Sequence, residues 1–190
     1  MNRTIRVISL AAIASLMLVG CGSSDSDSSG GTGLDSHPYD APPISEADKS
    51  AYLNAINNAR ASARNCGSKH FEATSPLVWN DPRYRAAYEH NEDMVNSGGT
   101  ISHTGSGTAS DWTAQILELG RGSRPHERVE NNGARSPNNG EVAAKGPNSI
   151  NAVVALWLGS PAHCEAIMTP YGINLGVARL GVYWTGNVGS

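Results

Sequence analysis

Apolar positions along this chain repeat at helical spacing several times before they alternate. The first stripe is Tyr52, Ile56, Ala59 and Ala63, with Leu53 beside it. Ser45 with Asp48 has the form of a capping box. A helix is expected from there to about Asn65, before Cys66-Gly67. Leu77 to Asn80 reads as a short extended lead-in. Asp81 as N-cap and Pro82 at the first helical position open a second helix. It carries Tyr84, Ala87, Tyr88, Asn91, Met94 and Val95 and stops at Gly98-Gly99. A third helix is expected from Asp111 to Leu119, closed by Gly120. Residues 121–139 are rich in Arg, Asn, Gly and Pro and read as irregular; a loop that long is usually functional or disordered. Ser149 caps a fourth helix, with Ile150, Val153, Val154 and Trp157 at i, i+3, i+4 and i+7. Ser160-Pro161 starts a fifth, through Met168. The period then changes: Ile173 to Ala178 and Val182 to Thr185 read as strands joined across Gly181. Helices first and strands last point to an α+β layered fold.

The N-terminal residues stand outside this pattern. Arg3 and Arg6 precede an apolar run, Val7 to Val19, that is too short to span a bilayer as a mature helix. It ends Leu18-Val19-Gly20-Cys21, which resembles the bacterial lipobox. That resemblance implies cleavage before Cys21 and acylation of its thiol and new amine. An ordinary secretory peptide with an incidental Cys is the alternative. Residues 22–43 hold almost nothing apolar and are expected to form a flexible tether. The expected organisation is thus a lipoprotein signal peptide (1–20), an acylated Cys21 with a Gly/Ser/Asp tether (21–43) and one domain (44–190). The expected place is the bacterial cell envelope, with the membrane as a partner through Cys21 and the domain facing periplasm or exterior. Gly22 supplies no acidic retention signal, so outer-membrane sorting is expected in a Gram-negative cell.

Composition narrows the partners. Only 14 of the 190 residues are Lys or Arg, and the formal net charge is −3, so no basic face for nucleic acid is implied. Phe occurs once, against four Trp and six Tyr, so the core must be built from Trp, Tyr and small aliphatics. Besides Cys21 the chain has Cys66 and Cys164. In an oxidising compartment two such thiols usually pair. The bridge would close a loop of roughly 100 residues and stabilise by about 4–5 kcal/mol on chain-entropy grounds. A nucleophilic Cys164 beside His163 is the weaker reading, because neighbours on a helix point about 100° apart.

Candidate chemistry rests on two imidazoles and a carboxylate at places where the chain turns or a helix begins. His103 lies in Ser102-His103-Thr104-Gly105, which alone is as easily a solvated loop histidine. Glu141 opens the strand-like Val142-Ala143-Ala144. His163 sits in the first turn of the helix begun by Ser160, where the helix N-terminus disfavours a charged ring. A neutral imidazole with a carboxylate suits zinc or a similar divalent cation. No HExxH spacing occurs, so any such ion would be held weakly by residues from separate loops. His90 lies on a partly apolar helix face, more the place of a core histidine than of a ligand. His37, His70 and His126 read as surface residues.

Six segments in order resemble the CAP superfamily (cysteine-rich secretory proteins, antigen 5 and pathogenesis-related proteins), in particular its bacterial secreted SCP-domain branch. They are Leu53 to Arg60, like the family's opening helix; Leu77-Val78-Trp79-Asn80; Ala86 to Met94, like A-A-x-x-H-x-x-D-M; Ser102 to Gly105, like S-H-T-G; Trp157 to Met168, like W-x-x-S-P-x-H-C-x-x-I-M; and Tyr183-Trp184-Thr185. The resemblance covers about Ile44 to Gly189. It implies a three-layer α-β-α sandwich: a small antiparallel sheet between helices, with long irregular loops. It also implies a cleft lined by His103, His163 and Glu141, and it aligns His90 with a histidine frequent in the bacterial branch. Two departures stand out. The family's G-E-N is Gly140-Glu141-Val142 here, and its second acidic residue is replaced at Gly159-Ser160.

The function implied is a lipid- or protein-binding module whose His/Glu cleft, including His90, takes a divalent metal such as zinc weakly. The alternative is a metal-assisted peptidase using His103, His163 and Glu141, for which no nucleophile stands out. A purely structural envelope role is the third reading.

Overall fold

The computed structural model describes residues 36–190. The segment expected to be a signal peptide, Cys21 and the first part of the expected tether lie outside the described residues. Helix α1 (Glu46–Arg60) begins where the sequence indicates: the Ser45 hydroxyl accepts the Asp48 N–H at 3.1 Å. It ends earlier than expected, with Ala61 as its C-cap, and Ala63 is not part of it. Instead the chain turns into a hairpin of β1 (Arg64–Cys66) and β2 (Lys69–Phe71), tightened at Gly67, which delivers Cys66 to Cys164. β3 (Val78–Trp79) follows. Helix α2 (Asp81–Asn96) has Asn80, not Asp81, as its N-cap: Asn80 is the extended residue whose side chain accepts the Arg83 N–H. α3 spans only Trp112–Ile116, capped by Asp111. The stretch expected to be irregular contains α4 (Pro125–Asn131), whose single aliphatic residue, Val129, is too little to mark a periodicity. β4 (Asn138–Lys145), α5 (Ile150–Gly159), α6 (Pro161–Met168), β5 (Asn174–Leu180) and β6 (Tyr183–Gly189) complete the domain.

The main sheet has the order β3-β5-β6-β4, antiparallel except for the short parallel pairing of β3 with β5. Side chains alternate across it, and the two faces differ in chemistry. One face carries Val142, Ala144, Leu175, Val177, Trp184 and Val188. These pack with Tyr52 and Ile56 of α1, Val153 and Trp157 of α5 and Ile167 of α6 into the main core. The other face meets α2 and is largely polar. There Thr185 donates to Asn91 Oδ1 at 2.7 Å, and Asn91 donates to the Ala178 carbonyl at 3.0 Å. Buried polar groups cost little when paired in this way, so a domain with few large aliphatics still closes both layers. α2 lies hard against β5 because of Gly176: a Cβ there would fall onto the backbone of Arg83 and Tyr84.

Residues 36–43, expected to be tether, run along the domain instead. The Tyr39 N–H donates to Asn132 Oδ1 at 2.8 Å, and the Tyr39 hydroxyl bonds Glu92. The His37 carbonyl accepts from the Trp112 indole at 3.1 Å, and the Pro42 carbonyl from the Tyr84 hydroxyl at 2.7 Å. Tyr39 also packs against the rings of Tyr88 and Trp112. One aromatic anchor, Tyr39, and a few backbone bonds are enough to hold this polar stretch, and composition averaged over it conceals them.

Candidate functional site

His103 and His163 approach each other from different elements. His103 sits on the loop after α2. That loop is fastened at Gly105, whose N–H donates to the Ser123 carbonyl at 2.8 Å and whose missing Cβ leaves room for the Asp111 carboxylate. His163 projects from the first turn of α6, behind the Ser160-Pro161 start. Their Nε2 atoms are 3.2 Å apart and their rings meet edge to face. A separation of sixty positions in sequence is thus closed to contact distance.

Glu141 stands behind His103. Its Oε1 is 3.0 Å from His103 Nδ1, and its Oε2 accepts from Arg128 Nη2 at 2.8 Å. Carboxylate and guanidinium are each only 1% exposed. Burial alone would raise the Glu141 pKa. The adjacent Arg128 charge overcomes it, helped by His90 and then by the bonds from His103 and Arg128, and holds the group at about 2. An ionised carboxylate accepts, so His103 carries its proton on Nδ1 and turns the Nε2 lone pair toward His163. Burial, and then the neighbouring His103, push the His163 pKa below the ordinary imidazole value. His163 is therefore disposed to be a neutral ring at pH 7.

Arg128, on α4, has no counterpart in the sequence reading. Besides Glu141 it bonds the His103 carbonyl at 2.9 Å and the Ser123 carbonyl at 2.9 Å, so one guanidinium braces both the carboxylate and the histidine loop. A signal for it existed. A glutamate set among apolar strand residues must find a cation if it is buried, and arginine is the usual one.

His90 does not line the cleft. It is completely buried on α2; its Nε2 lies 2.7 Å from the Ser102 carbonyl and 3.9 Å from Glu141 Oε1. It supports the histidine loop from beneath. Its pKa is lowered by burial and then by Arg128, so it sits there as a neutral ring. Glu141 likewise is not placed beside the paired Nε2 atoms, since both its oxygens are engaged on the far side of the His103 ring. Among the described residues no group of three or more His, Cys, Asp or Glu is arranged to hold a metal ion. The two imidazoles by themselves fit part of a zinc sphere. Tetrahedral zinc with bonds of about 2.0–2.1 Å sets two nitrogens about 3.3 Å apart, close to the separation here.

Around the histidine pair lies a cleft of about 450 Å³ lined by Ile101, Ala143, Ala144, Lys145, Leu156 and Ser160 as well as the two rings and Ser102. Ile101 and Leu156 are 44% and 52% exposed, large apolar side chains left facing solvent on either flank. Ser102 is no free nucleophile: its hydroxyl donates to the Thr104 carbonyl at 2.8 Å. Cys164 is in the disulfide with Cys66, both sulfurs buried. His37, His70 and His126 are exposed and take no part.

The same arrangement of layers recurs in known structures. An extracellular protein containing an SCP domain from Bacillus anthracis str. Ames matches with TM-score 0.53 and 15% identity, over 78% of this chain and 44% of that one. An outer surface protein of Borrelia burgdorferi matches with TM-score 0.52 and 19% identity, over 76% of this chain and 90% of that one. The chain thus spans less than half of the Bacillus protein and most of the Borrelia one. A search of curated proteins gives no match. The model of the cysteine-rich secretory protein family matches residues 53–181, two-thirds of the chain and the whole of the histidine site. With that match and this fold, the chain belongs to the CAP, or cysteine-rich secretory protein, family.

Proposed function

We propose that this is an exported, membrane-tethered CAP module that binds a ligand in the His103–His163 cleft, with a divalent cation held weakly between the two rings. The observation that carries the reading is the pair of Nε2 atoms at 3.2 Å beneath two exposed apolar side chains, with a buried Glu141–Arg128 pair fixing one ring. A salt bridge this deeply buried is a poor investment in stability alone; it makes sense as support for a ring that must keep one orientation. If zinc binds, His103 and His163 would hold it, Glu141 would orient His103 from behind, and the ion would act as an electron-pair acceptor for an oxygen of the ligand. Two protein ligands without a third imply weak, open coordination.

Calorimetry on untagged protein tests this. Zinc is expected to bind weakly to wild type and not to His103→Ala or His163→Ala. Affinity should fall at acid pH as His163, whose pKa lies below the ordinary imidazole value, takes up a proton. No heat with wild type would end the metal part of the reading.

Hydrolysis is the second reading, since a carboxylate-backed imidazole is a competent general base. Against it stands the tied hydroxyl of Ser102 and the lack of another activated nucleophile among the described residues. Turnover of a peptide or ester library, lost in the two histidine variants, would favour it over binding alone.

The envelope location is part of the same proposal. Both structural neighbours are named as extracellular or outer surface proteins, and no described helix is long and apolar enough to cross a membrane. Anchoring then falls to Cys21, where each buried acyl CH₂ contributes about 0.8 kcal/mol. Cys21→Ala is expected to abolish labelling by a palmitate analogue and move the protein from the membrane to the soluble fraction. An unchanged distribution would contradict the anchor.

A further inference from the structure

The floor of the cleft is the free edge of β4, the last strand of the sheet. The Gly146 N–H donates to the Val182 carbonyl at 2.8 Å. Beyond it Lys145 faces Tyr183, Ala144 faces Trp184 and Ala143 faces Thr185. Hydrogen-bonded and non-bonded pairs alternate along an antiparallel ladder, so the bonded pairs are Ala144 with Trp184 and Val142 with Gly186. The N–H and C=O groups of Ala143 and Lys145 must then point away from β6. Among the described residues none bonds to them. They open into the cleft that Ala143 and Lys145 line.

The surroundings of that edge say what would fit it. Ile101 rises on the flank that faces α2 and Leu156 on the flank of α5, and both are exposed. The cleft lining holds one lysine and two histidines and no acidic side chain. An acyl chain laid there would cover the apolar walls but leave the strand's N–H and C=O groups without partners, a cost of about 1–3 kcal/mol each when buried. An extended peptide satisfies them while its successive side chains turn to the two flanks.

The geometry points to the carboxyl-terminal end of an extended peptide as the ligand, added antiparallel to β4 as a fifth strand. A strand antiparallel to β4 enters at Lys145 and ends near Glu141, beside the histidine pair, where His163 Nε2–H, the donor of that pair, can turn from His103 to its terminal carboxylate. Its last residues are apolar, one meeting Ile101 and the next Leu156. This rests on the cleft being the binding site, as proposed above, and names the class of ligand.

The test is a random heptapeptide library, displayed with free carboxyl termini and selected on the full chain. Selected peptides are then synthesised and titrated by calorimetry. They are expected to end in apolar residues. Amidating their terminus should weaken binding at least threefold, and N-methylating alternate amides at least tenfold. On the protein side, Ala143→Pro removes an outward N–H while leaving the ladder to β6 complete, as edge positions allow. It should also weaken binding at least tenfold, as should Leu156→Asp. If Ala143→Pro does not fold, the N-methyl peptides carry the same test on wild-type protein. Failure to select any peptide, or selected peptides indifferent to N-methylation, would overturn the strand. Sodium oleate is titrated alongside. Oleate binding lost in His103→Ala and Leu156→Asp, with no peptide selected, would leave the cleft as the binding site and remove the peptide. Binding of both probes untouched by every cleft variant would remove the cleft as well.

Discussion

Arg128→Ala is expected to destabilise the domain by about 3–5 kcal/mol in urea unfolding, because it strands the buried Glu141 carboxylate without its cation. The companion measurement is the double variant Arg128→Met/Glu141→Leu, which removes both charges and should recover most of that loss. The pH dependence gives an independent readout. Glu141 is held at about 2 in the folded protein, below its ordinary value of 4.5. A depressed folded pKa contributes stability that is present above pH 4.5 and is lost as the pH falls through about 2. Without Arg128, only His90 and the bond from His103 oppose burial, so the carboxyl pKa moves up from its wild-type position. The gap between wild type and Arg128→Ala should therefore be widest near neutrality and narrow toward pH 2. Equal stability of the two proteins at pH 7 would mean that the pair does not support the site.

Cys66→Ala/Cys164→Ala is expected to cost about 4–5 kcal/mol, since the bridge spans 98 residues and constrains the unfolded chain accordingly. Domains of this size hold only about 5–15 kcal/mol in total, so the variant should melt roughly 10 °C lower or more. The loss is local as well as global. Cys164 follows His163 directly, and the bridge pins the start of α6 to the β1–β2 hairpin. Alanine keeps the small buried cluster with Met168 apolar. A melting point within a few degrees of wild type would contradict this account of the bridge.

Some of this architecture was readable from the chain, and the reasons differ by element. α1, α5 and α6 start where a cap or a proline says they should and α2 one residue earlier, because those signals are local. The strands showed as a change of period. α4 did not show, because seven residues with one buried aliphatic carry no stripe; its place is fixed by polar contacts, chiefly those of Arg128. Residues 36–43 were misread for a related reason: Tyr39 is held by an amide and a carboxylate that come from distant parts of the chain. The histidine pair was suggested by motif resemblance. What lies beneath it was not, because His90 under the loop and Arg128 behind Glu141 act by burial and pairing, which spacing along a sequence does not encode. Glu141 stands behind His103 with both oxygens engaged, and which way a carboxylate faces is set by its partners in space, not by its place in the sequence.

The central claim is that His103 and His163 act together through their Nε2 atoms. Long-range ¹H–¹⁵N spectra of the imidazoles, recorded on untagged full chain while zinc is added, test it most directly. The account predicts that the Nε2 signals of His103 and His163 move together and saturate at one zinc concentration, while His37, His70, His90 and His126 stay still. Movement of one ring without the other, or of an exposed histidine in their place, would contradict it.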